Sequence, residues 1–461
     1  MERLFKAFER AGKELFLVGG AVRELARGIP FEAIDDLDFC TNALPEETLK
    51  ILEGIDQLIY DVGIEFGTVG TVLYHDEREG YPKDCQITTY RSEEYYRRGS
   101  RHPQVRYGET LMQDLKRRDF SINSIAMNAA GEYVDPYDGR GDLERGIIRV
   151  VGDPLETLAE DPLRILRVGR FIAKLGFDAD EELASACRER ARNILEISRE
   201  RWLQEMTKLL VAKHSDRGLR FLHEVEILAV ILPEVERFFG PTGEKEPSVV
   251  FDREEGLRRW EHTLKVLMAT ERQASQRWAA LLIDVDKGAG DNLEEIENVA
   301  RRFKFDNATT HEVKALVRTH GLANTYQPGW DDPRVRRLVR ELDPYLDAAL
   351  AFARADVGAA TPEEEARALA ELDELEARIR TLEDQGALRP DLPSGFGNEV
   401  IDAFGLKPGR IIGQIKEFLE EEMLDGSIAM ELEASNYIDY LRAHMPSFLK
   451  EEILASGEDG E

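Results

Sequence analysis

Two aspartates one residue apart, Asp36 and Asp38, stand in an apolar segment that is typical of a β-strand. Alternate side chains of a strand project on the same side, so the two carboxylates are predicted to converge. Converging carboxylates repel each other unless cations bridge them, and Mg²⁺ held together with substrate phosphates is the usual arrangement. The pair therefore predicts a Mg²⁺ site, although a polar strand end could show the same spacing.

A glycine pair upstream adds a second chemical group. The segment LFLVGGAVREL runs from an apolar strand through Gly19 and Gly20 into a helix, with Arg23 one turn further on. Glycines let backbone N–H groups approach an anion, and a helix N-terminus adds partial positive charge. A plain strand-to-helix turn would use the same residues. Together with the aspartate pair, however, the arrangement resembles the polymerase-β type of nucleotidyltransferase head, where two metal ions activate a 3′-hydroxyl and stabilise leaving pyrophosphate.

Charged residues recur in two later segments. Arg118 and Asp119 stand where a helical pattern gives way to a strand-like run, and Asn123 follows shortly after. Asp161 and Arg164 open a helix and are predicted to lie one turn apart on the same face. The helix also carries basic residues at three- or four-residue spacing, namely Arg164, Arg167, Arg170 and Lys174. Such a row is either a solvated face or, aligned with Asp161, a nucleotide-binding face.

The Asp161 and Arg164 pair could select a base without a template. Cytosine and adenine both present an exocyclic amine beside a ring-nitrogen acceptor, so a carboxylate can accept from the amine while a guanidinium donates to the ring. Guanine and uracil present a carbonyl at the position of the amine. The carboxylate would then stay unpaired, which costs about 1–3 kcal/mol. The pair is therefore predicted to accept C and A and to reject G and U.

Taken together, the motifs resemble those of the bacterial CCA-adding enzymes (tRNA nucleotidyltransferases of the second class) and of their poly(A) polymerase relatives. They follow the family's order over residues 15–210 and read GGAVRE, DLDFCTNALPEE, FGTVGTVL, ITTYRSEEYY, RHPQVRYG, RRDFSINSIAMN, EDPLRILRVGRFIAKLGF and ERWLQEM. Residues 404–428 (FGLKPGRIIGQIKEFLEEEMLDGSI) also resemble the family's tail.

The resemblance implies a role for each matched residue. Asp36 and Asp38 match the catalytic metal ligands, and Mg²⁺ is the implied cofactor. The implied nucleotide-binding residues are Gly19, Gly20, Arg23, Arg118, Asp119, Asn123, Asp161, Arg164, Arg167 and Arg170. Among these, Gly20 and Arg23 match triphosphate contacts, and Asp119 matches the ribose contact.

The segment Arg91–Gly108 is basic and rich in tyrosine. A surface loop would have this composition. In the family, the matching region is a flexible element that helps the site change from C to A addition, and relatives that add only C tend to lack it. Its presence favours full CCA addition or addition of the terminal A alone.

Three positions depart from the family's pattern. Glu24 stands where Asp is usual, and Gln86 stands where many relatives have a carboxylate, which puts a third metal-supporting acid in doubt. Residues 260–284 resemble an HD phosphohydrolase module, but the dyad reads Ile283-Asp284 and lacks its histidine ligand. His262 alone cannot hold a catalytic metal. We therefore predict a degenerate module without phosphohydrolase activity, with His262 as an ordinary packed or surface histidine.

The elements that must position these residues fall into two classes. Strands are predicted at Leu15–Gly19, Leu37–Cys40, Gly67–Tyr74, Cys85–Tyr90 and Ile122–Asn128, and helices at 2–12, 45–53 and 109–117. Beyond residue 155 almost every segment has helical period. We predict an α+β chain in which a small mixed sheet, the polymerase-β-like head (1–145), precedes an all-α neck (146–215), body (216–385) and tail (386–461).

Composition limits the class of protein. The chain has 461 residues and 42% hydrophobic residues, which is a globular composition, and no run approaches the ~18 apolar residues of a membrane span. Three separated cysteines exclude a disulfide framework and favour the cytoplasm. The net charge of −30 argues against nucleic acid, but residues 351–461 hold 26 acidic and only 10 basic side chains. The first half therefore remains compatible with phosphate binding.

The leading hypothesis is an Mg²⁺-dependent enzyme that adds C, C and A to the 3′ end of tRNA from CTP and ATP. Its expected partners are the acceptor end and elbow of tRNA, with no membrane, and the oligomeric state is open. Addition of the terminal A alone and poly(A) polymerase activity remain alternatives that share the head motifs. A phosphohydrolase is opposed by the missing histidine, and a silent RNA-binding scaffold by the intact aspartate pair.

Overall fold

A mixed β-sheet forms near the amino terminus of the computed structural model and carries the aspartate pair. The structure describes residues 1–55, 57–73, 82–96, 103–108, 110–240, 253–285, 293–357, 361–389, 391–430 and 432–458. The chain divides into two units, Met1–Glu261 with Glu297–Phe305, and His262–Ile296 with Asp306–Glu461. Within the described residues, no helix is long and apolar enough to cross a bilayer.

The strands all belong to the first unit. They are β1 (Leu15–Val18), β2 (Asp36–Thr41), β3 (Ile59–Gly63), β4 (Thr68–Leu73), β5 (Lys83–Thr89), β6 (Arg91–Tyr96), β7 (Pro103–Tyr107), β8 (Ala126–Met127), β9 (Tyr133–Val134), β10 (Ile147–Ile148) and β11 (Asp178–Ala179). The main sheet has the order β3-β4-β5-β2-β1-β8-β9. In it β2 and β5 run parallel and the other neighbours run antiparallel, which confirms a mixed sheet.

Helices pack on both faces of this sheet, and further helices follow. The first unit contains α1 (Glu2–Arg10), α2 (Gly19–Ala26), α3 (Pro45–Glu53), α4 (Leu111–Lys116), α5 (Gly139–Arg145), α6 (Pro154–Glu160), α7 (Arg164–Leu175), α8 (Glu181–Glu189), α9 (Arg199–Leu210), α10 (Ser215–Glu224), α11 (Ile227–Ile231) and α12 (Pro233–Glu236). Helices α1 to α3 pack on one face of the sheet, and α4 packs on part of the other face. Leu4 and Phe8 of α1 are buried against Leu37 and Phe39 of β2, so this face of the strand lies in the core.

The elements of the described residues that follow α12 are helical. The α-helices among them are α13 (Arg253–Ala269), α14 (Ala274–Leu282), α15 (Glu294–Phe303), α16 (Asn307–Thr319), α17 (Asp332–Leu342), α18 (Leu346–Ala355), α19 (Pro362–Asp384), α20 (Phe396–Phe404), α21 (Arg410–Leu424), α22 (Ala434–Ala443) and α23 (Ser447–Glu458). A mixed sheet followed by a long helical region confirms the predicted α+β class. The division into head, neck, body and tail stays a prediction.

Most of the predicted strands of the head are confirmed, and one is wrong in part. The segments at Leu15, Leu37, Gly67 and Cys85 form β1, β2, β4 and β5 with small shifts at their ends, and Tyr74 lies outside the described residues. Of Ile122–Asn128, only the two residues of β8 pair with β1. The preceding Ser121–Asn123 closes a 3₁₀ turn, in which the Ser124 N–H bonds the Ser121 carbonyl. The short strands β3, β6, β7, β9, β10 and β11 were not predicted.

Candidate active site

The two aspartates project from the face of β2 opposite the one that packs on α1. Asp36 and Asp38 are exposed and Leu37 between them is buried. Cys40, further along the same face as the aspartates, is buried against Leu111 and Leu115 of α4. In the parallel neighbour β5, Asp84 lies beside Asp36 and Gln86 lies beside Asp38. Desolvation raises the pKa of Asp38, Arg118 lowers it and Asp36 raises it, with a net upward shift.

The glycine turn lies directly beside this pair. Gly19 opens α2 with φ +69°, a conformation that favours glycine. A Cβ atom at Gly19 would lie 3.4 Å from the Asp38 carboxylate and 3.5 Å from the Arg118 guanidinium. A side chain would therefore fill the space between Asp38 and the start of the helix. Gly20 follows in the first turn of α2, where its Cβ would face Arg23 at 3.7 Å.

A buried lysine fixes the backbone that leads into β2. Lys83 is fully buried at the start of β5, and its Nζ donates to the carbonyl oxygens of Ile34 (2.5 Å) and Glu32 (3.1 Å). A buried ammonium needs acceptors of this kind, because an unpaired charge away from water is costly. These two bonds hold the residues just before Asp36 and so define where the aspartate pair begins.

A second group of predicted residues forms one hydrogen-bonded chain. The buried Arg23 donates to Asn123 Oδ1 (2.6 Å), and Asn123 Nδ2 donates to Asp119 Oδ1 (3.0 Å). Arg167 of α7 pairs with the other oxygen of Asp119. Burial alone would raise the pKa of Asp119, but Arg167, the Asn123 amide and Arg170 hold that pKa below its ordinary value. Asp119 is thus a carboxylate kept in its acceptor form.

Asp161 and Arg164 are not in side-chain contact with each other. Asp161 lies outside the helix, in the turn between α6 and α7, and its Oδ1 accepts the Leu163 N–H at 3.1 Å. The prediction that both residues share one helical face is therefore wrong, because the residue before a proline, here Pro162, is disfavoured in a helix. The Arg164 guanidinium instead donates to the carbonyl oxygens of Thr157 (2.9 Å) and Arg117 (3.2 Å).

Helix α9 supplies partners that the sequence analysis did not assign. Arg201 donates to Asp161 Oδ2 at 3.0 Å, and Glu205 pairs with Arg170 at 3.1 Å. Both contacts join α9 to residues of or next to α7, so the arginines of the basic row do not form a solvated face, whereas Lys174 at the end of the row is exposed. The sequence held a signal for these contacts. Arg201 and Glu205 are four residues apart, which places them on one face of a helix. Their charges are opposite to those of Asp161 and Arg170.

Metal binding at the aspartate pair fits the residues present. Carboxylate oxygens are the ligands that Mg²⁺ prefers, and it is commonly bound by one or two carboxylates with the remaining positions taken by water and phosphate. Within the part of the chain that the structure describes, no group of three His, Cys, Asp or Glu side chains is placed to hold a metal. The pair therefore suits an ion that arrives with a nucleotide rather than a closed protein site.

Family models match two stretches of the chain. Residues 15–149 match the poly A polymerase head domain, and residues 176–239 match a domain described as "Probable RNA and SrmB- binding site of polymerase A". A CCA-adding enzyme of Streptococcus mutans is 30% identical to the chain over 444 residues, which is 95% of each protein. The chain belongs to the CCA-adding enzymes. It is thus a tRNA nucleotidyltransferase.

Further comparisons agree with membership of the CCA-adding family. A CCA-adding enzyme of Lactiplantibacillus plantarum is 38% identical over 47% of this chain and 50% of that protein. The crystal structure of the Bacillus stearothermophilus CCA-adding enzyme in complex with CTP superposes with a TM-score of 0.68 at 25% identity, covering 96% of this chain and 97% of that one. The resemblance in sequence and the polymerase-type head are therefore confirmed.

The basic, tyrosine-rich segment of this CCA-adding family member is described only in part. Its ends form the antiparallel pair β6–β7, in which Arg91 lies opposite Tyr107 and Tyr96 lies opposite Pro103. Residues 97–102 lie outside the described residues. The role of this segment in the change from C to A addition stays a prediction.

His262, in the segment predicted to be a degenerate HD-like module, belongs to a charged cluster and is not an ordinary histidine. His262 Nδ1 lies 2.7 Å from Asp284 Oδ2 and its Nε2 lies 2.8 Å from Asp356 Oδ1. Thr263 donates to the same Asp284 oxygen, and His320 lies 3.8 Å from Asp356. The expectation that His262 is an ordinary packed or surface histidine was wrong, because it pairs with acidic side chains. Asp356 is 94 positions away in the sequence, so only the fold brings it close to His262.

This cluster predicts a stability that depends on pH. Hydrogen bonds to Asp284 and Asp356 raise the pKa of His262 to about 9, from an ordinary 6.5. The stabilisation is therefore present in full below pH ~6.5 and is lost as the pH rises through about 9. We expect the thermal midpoint of the native chain to exceed that of His262→Gln at pH 6.5, and this difference to shrink by pH 9.5.

The matched control is His444→Gln, which removes an exposed histidine stacked on Tyr440. Differential scanning calorimetry of both variants and the native chain separates this cluster from other titrating groups. A difference between native chain and His262→Gln that stays constant over the same pH interval would contradict the charged bridge.

Proposed function

We propose that this chain adds C, C and A to the 3′ end of tRNA, from CTP and ATP with release of pyrophosphate, in the cytoplasm. The observation that carries the proposal is the convergence of Asp38, the Gly19 turn and Arg118 on the exposed face of the sheet. Full-length similarity to CCA-adding enzymes supports the same conclusion. The structure of the Bacillus stearothermophilus CCA-adding enzyme contains CTP, which is one of the proposed substrates.

Asp36 and Asp38 would hold Mg²⁺ ions, which supply activation of the attacking hydroxyl and neutralisation of the leaving pyrophosphate when bound. The backbone at Gly19 and Gly20 is open to the triphosphate, since no Cβ stands in the way. Arg118 lies beside Asp38, where its positive charge faces the same space. These residues orient the α-phosphate for in-line attack, so the rate gain comes from positioning and charge.

We propose that the sugar of the nucleotide contacts Asp119 and that its base contacts Asp161 and Arg164. Asp119, held as an anion by Arg167, is suited to accept from a ribose hydroxyl. Asp161 is proposed to accept from the exocyclic amine of C or A, and Arg164 to donate to the ring nitrogen. In the structure Arg201 fixes Asp161, whereas Arg164 bonds backbone carbonyls, so base binding requires the Arg164 side chain to move.

The remaining part of the chain is proposed to bind tRNA by recognising the shape of its duplex and by contacting its phosphates, as binding to duplex RNA usually requires. We retain the proposed division into head (1–145), neck (146–215), body (216–385) and tail (386–461). The match of residues 176–239 to a domain whose description names RNA binding supports an RNA-contacting role that begins in the neck.

A series of incubations with single nucleotides and with CTP plus ATP tests the proposed function. Purified chain with Mg²⁺ and tRNA truncated at the discriminator base is given each NTP in turn, and then CTP with ATP. We expect incorporation of CTP and, on tRNA ending in CC, of ATP, with a fixed stop after A and rejection of GTP and UTP. ATP addition without any CTP addition would replace the proposal with A-only addition. Open-ended extension of unrelated RNA would replace it with poly(A) polymerase activity.

A further inference from the structure

The second unit contains a cleft of about 810 Å³ that none of the proposed catalytic roles uses. Its walls come from the start of α14, from α16, from the segment 343–351 that enters α18, and from the second half of α19. A volume of this size is typical of a small-molecule site. The chemistry of the walls decides which ligand it suits.

The cleft is lined mainly by negative charge. Its ionisable wall residues are Glu271, Glu312, Asp343, Asp347, Glu376, Glu383, Arg354, Arg380 and Arg389. The three arginines already have acidic partners within the wall. Arg354 pairs with Glu376 at 2.8 Å, Arg389 pairs with Asp343 at 3.1 Å, and Arg380 pairs with Glu376 at 3.3 Å. The surplus of carboxylates therefore faces an open space.

Three of those carboxylates, Glu271, Glu312 and Asp347, have no cationic partner among the described residues. Glu312 is half-buried on α16, and Asp347 is exposed at the start of α18. Glu312 and Asp347 stand on different helices, so a ligand reaching both must carry separated positive groups. A metal ion fits poorly, because within the described ranges no group of three His, Cys, Asp or Glu side chains is placed to hold one.

A buried amide independently indicates a missing hydrogen-bond donor. Gln276 lines the cleft and is only 4% exposed, and its Oε1 has no hydrogen-bond partner within the described part of the chain. Buried polar groups are almost always paired, because desolvation without a bond is costly. The carbonyl end of this amide can accept a bond from an N–H group of a ligand.

Apolar side chains line the cleft together with these polar groups. Leu346, Leu350 and Ile379 line the same cleft and are each less than 10% exposed. A methylene chain could pack against them while its charged ends reach the carboxylates, as long cationic side chains do at protein surfaces.

We propose that this cleft binds a linear polyamine, with ammonium groups paired to Glu312 and Asp347 and a further N–H donated to Gln276. The inference is independent of the proposed tRNA chemistry, since every residue that it uses lies in the second unit. Polyamines combine separated ammonium groups with short methylene spacers, which is the pattern that the wall presents.

Isothermal titration of the full-length chain with spermidine tests the proposal. We expect saturable one-to-one binding that Glu312→Gln weakens about tenfold, because a charge-assisted bond is lost. Gln276→Met should weaken it to a similar extent without changing the net charge. Asp347→Asn, at an exposed position, repeats the charge test where folding is not at risk. The matched control is Glu417→Gln, which removes an exposed glutamate of α21 outside the cleft and should leave the affinity unchanged.

Several outcomes would overturn the proposal. Absence of saturable binding at millimolar spermidine would do so, as would equal weakening by Glu417→Gln and Glu312→Gln. Displacement of spermidine by an equal concentration of Mg²⁺ would show a general attraction of cations to an acidic surface. An unchanged affinity in Gln276→Met, with the thermal midpoint preserved, would exclude the amide as a ligand.

Discussion

Asp36→Ala is expected to reduce incorporation of both CTP and ATP about a thousandfold or more. Metal ligation at a transferring phosphoryl group contributes several kcal/mol to stabilisation of the transition state. Loss of about 4 kcal/mol corresponds to roughly three orders of magnitude in rate. Asp36 is exposed on β2, so its replacement opens no cavity and folding should be preserved. The measurement is the single-turnover rate on truncated tRNA at saturating NTP and Mg²⁺.

Asp35→Ala is the matched control for this result. Asp35 is the preceding residue and is also exposed, but it precedes β2 rather than lying in the aspartate pair. The control variant should keep a rate close to that of the native chain. If Asp36→Ala retained more than about a tenth of the native activity, binding of the metal by this pair would have to be abandoned.

Asp161→Asn is expected to lower the preference for CTP over UTP by about ten- to a hundredfold. A good base contact contributes about 1–3 kcal/mol of discrimination. An amide can donate to the uracil carbonyl where the carboxylate could only accept from the cytosine amine. The Asn oxygen can still accept the Leu163 N–H, but the charged contact with Arg201 is lost. The ratio of kcat/KM for the two nucleotides measures this effect.

Asp153→Asn serves as its control, because Asp153 caps α6 by accepting the Glu156 N–H and Asn caps almost equally well. Its nucleotide preference should equal that of the native chain. A fall in CTP and UTP use by the same factor in Asp161→Asn would mean that Asp161 positions the turn before α7 and does not read the base.

The negative net charge of the chain does not decide whether the first unit can bind a nucleotide. The net charge is −30, yet the first unit gathers Arg23, Arg167 and Arg170 within one network. Each of these arginines already has a protein partner, so a nucleotide must exchange with Asn123, Asp119 or Glu205 to bind them. If these arginines bind the nucleotide as proposed, we expect local pairing to affect its affinity more than the total charge does.

Local features of the site could be predicted from the sequence. Alternation along one strand placed Asp36 and Asp38 on the same face, and the glycine pair marked the start of α2. Both depend on neighbours within a few residues, where steric rules act directly on the backbone. The prediction of Ile122–Asn128 as a strand failed because a tight turn at Ser121–Asn123 competes with the same apolar pattern.

The amino-acid sequence by itself determined that Asp36 and Asp38 share one face, that arginines recur along one helix, and which family the chain resembles. Only the tertiary structure decided their partners: Arg23 meets Asn123 across 100 positions, Arg201 meets Asp161 across 40, and His262 meets Asp356 across 94. Residue types and spacing reveal which groups can pair within an element. Which distant charges do pair depends on how buried helices and strands pack, because burial makes an unpaired charge costly and fixes each ionic group to whichever partner the packing brings within reach.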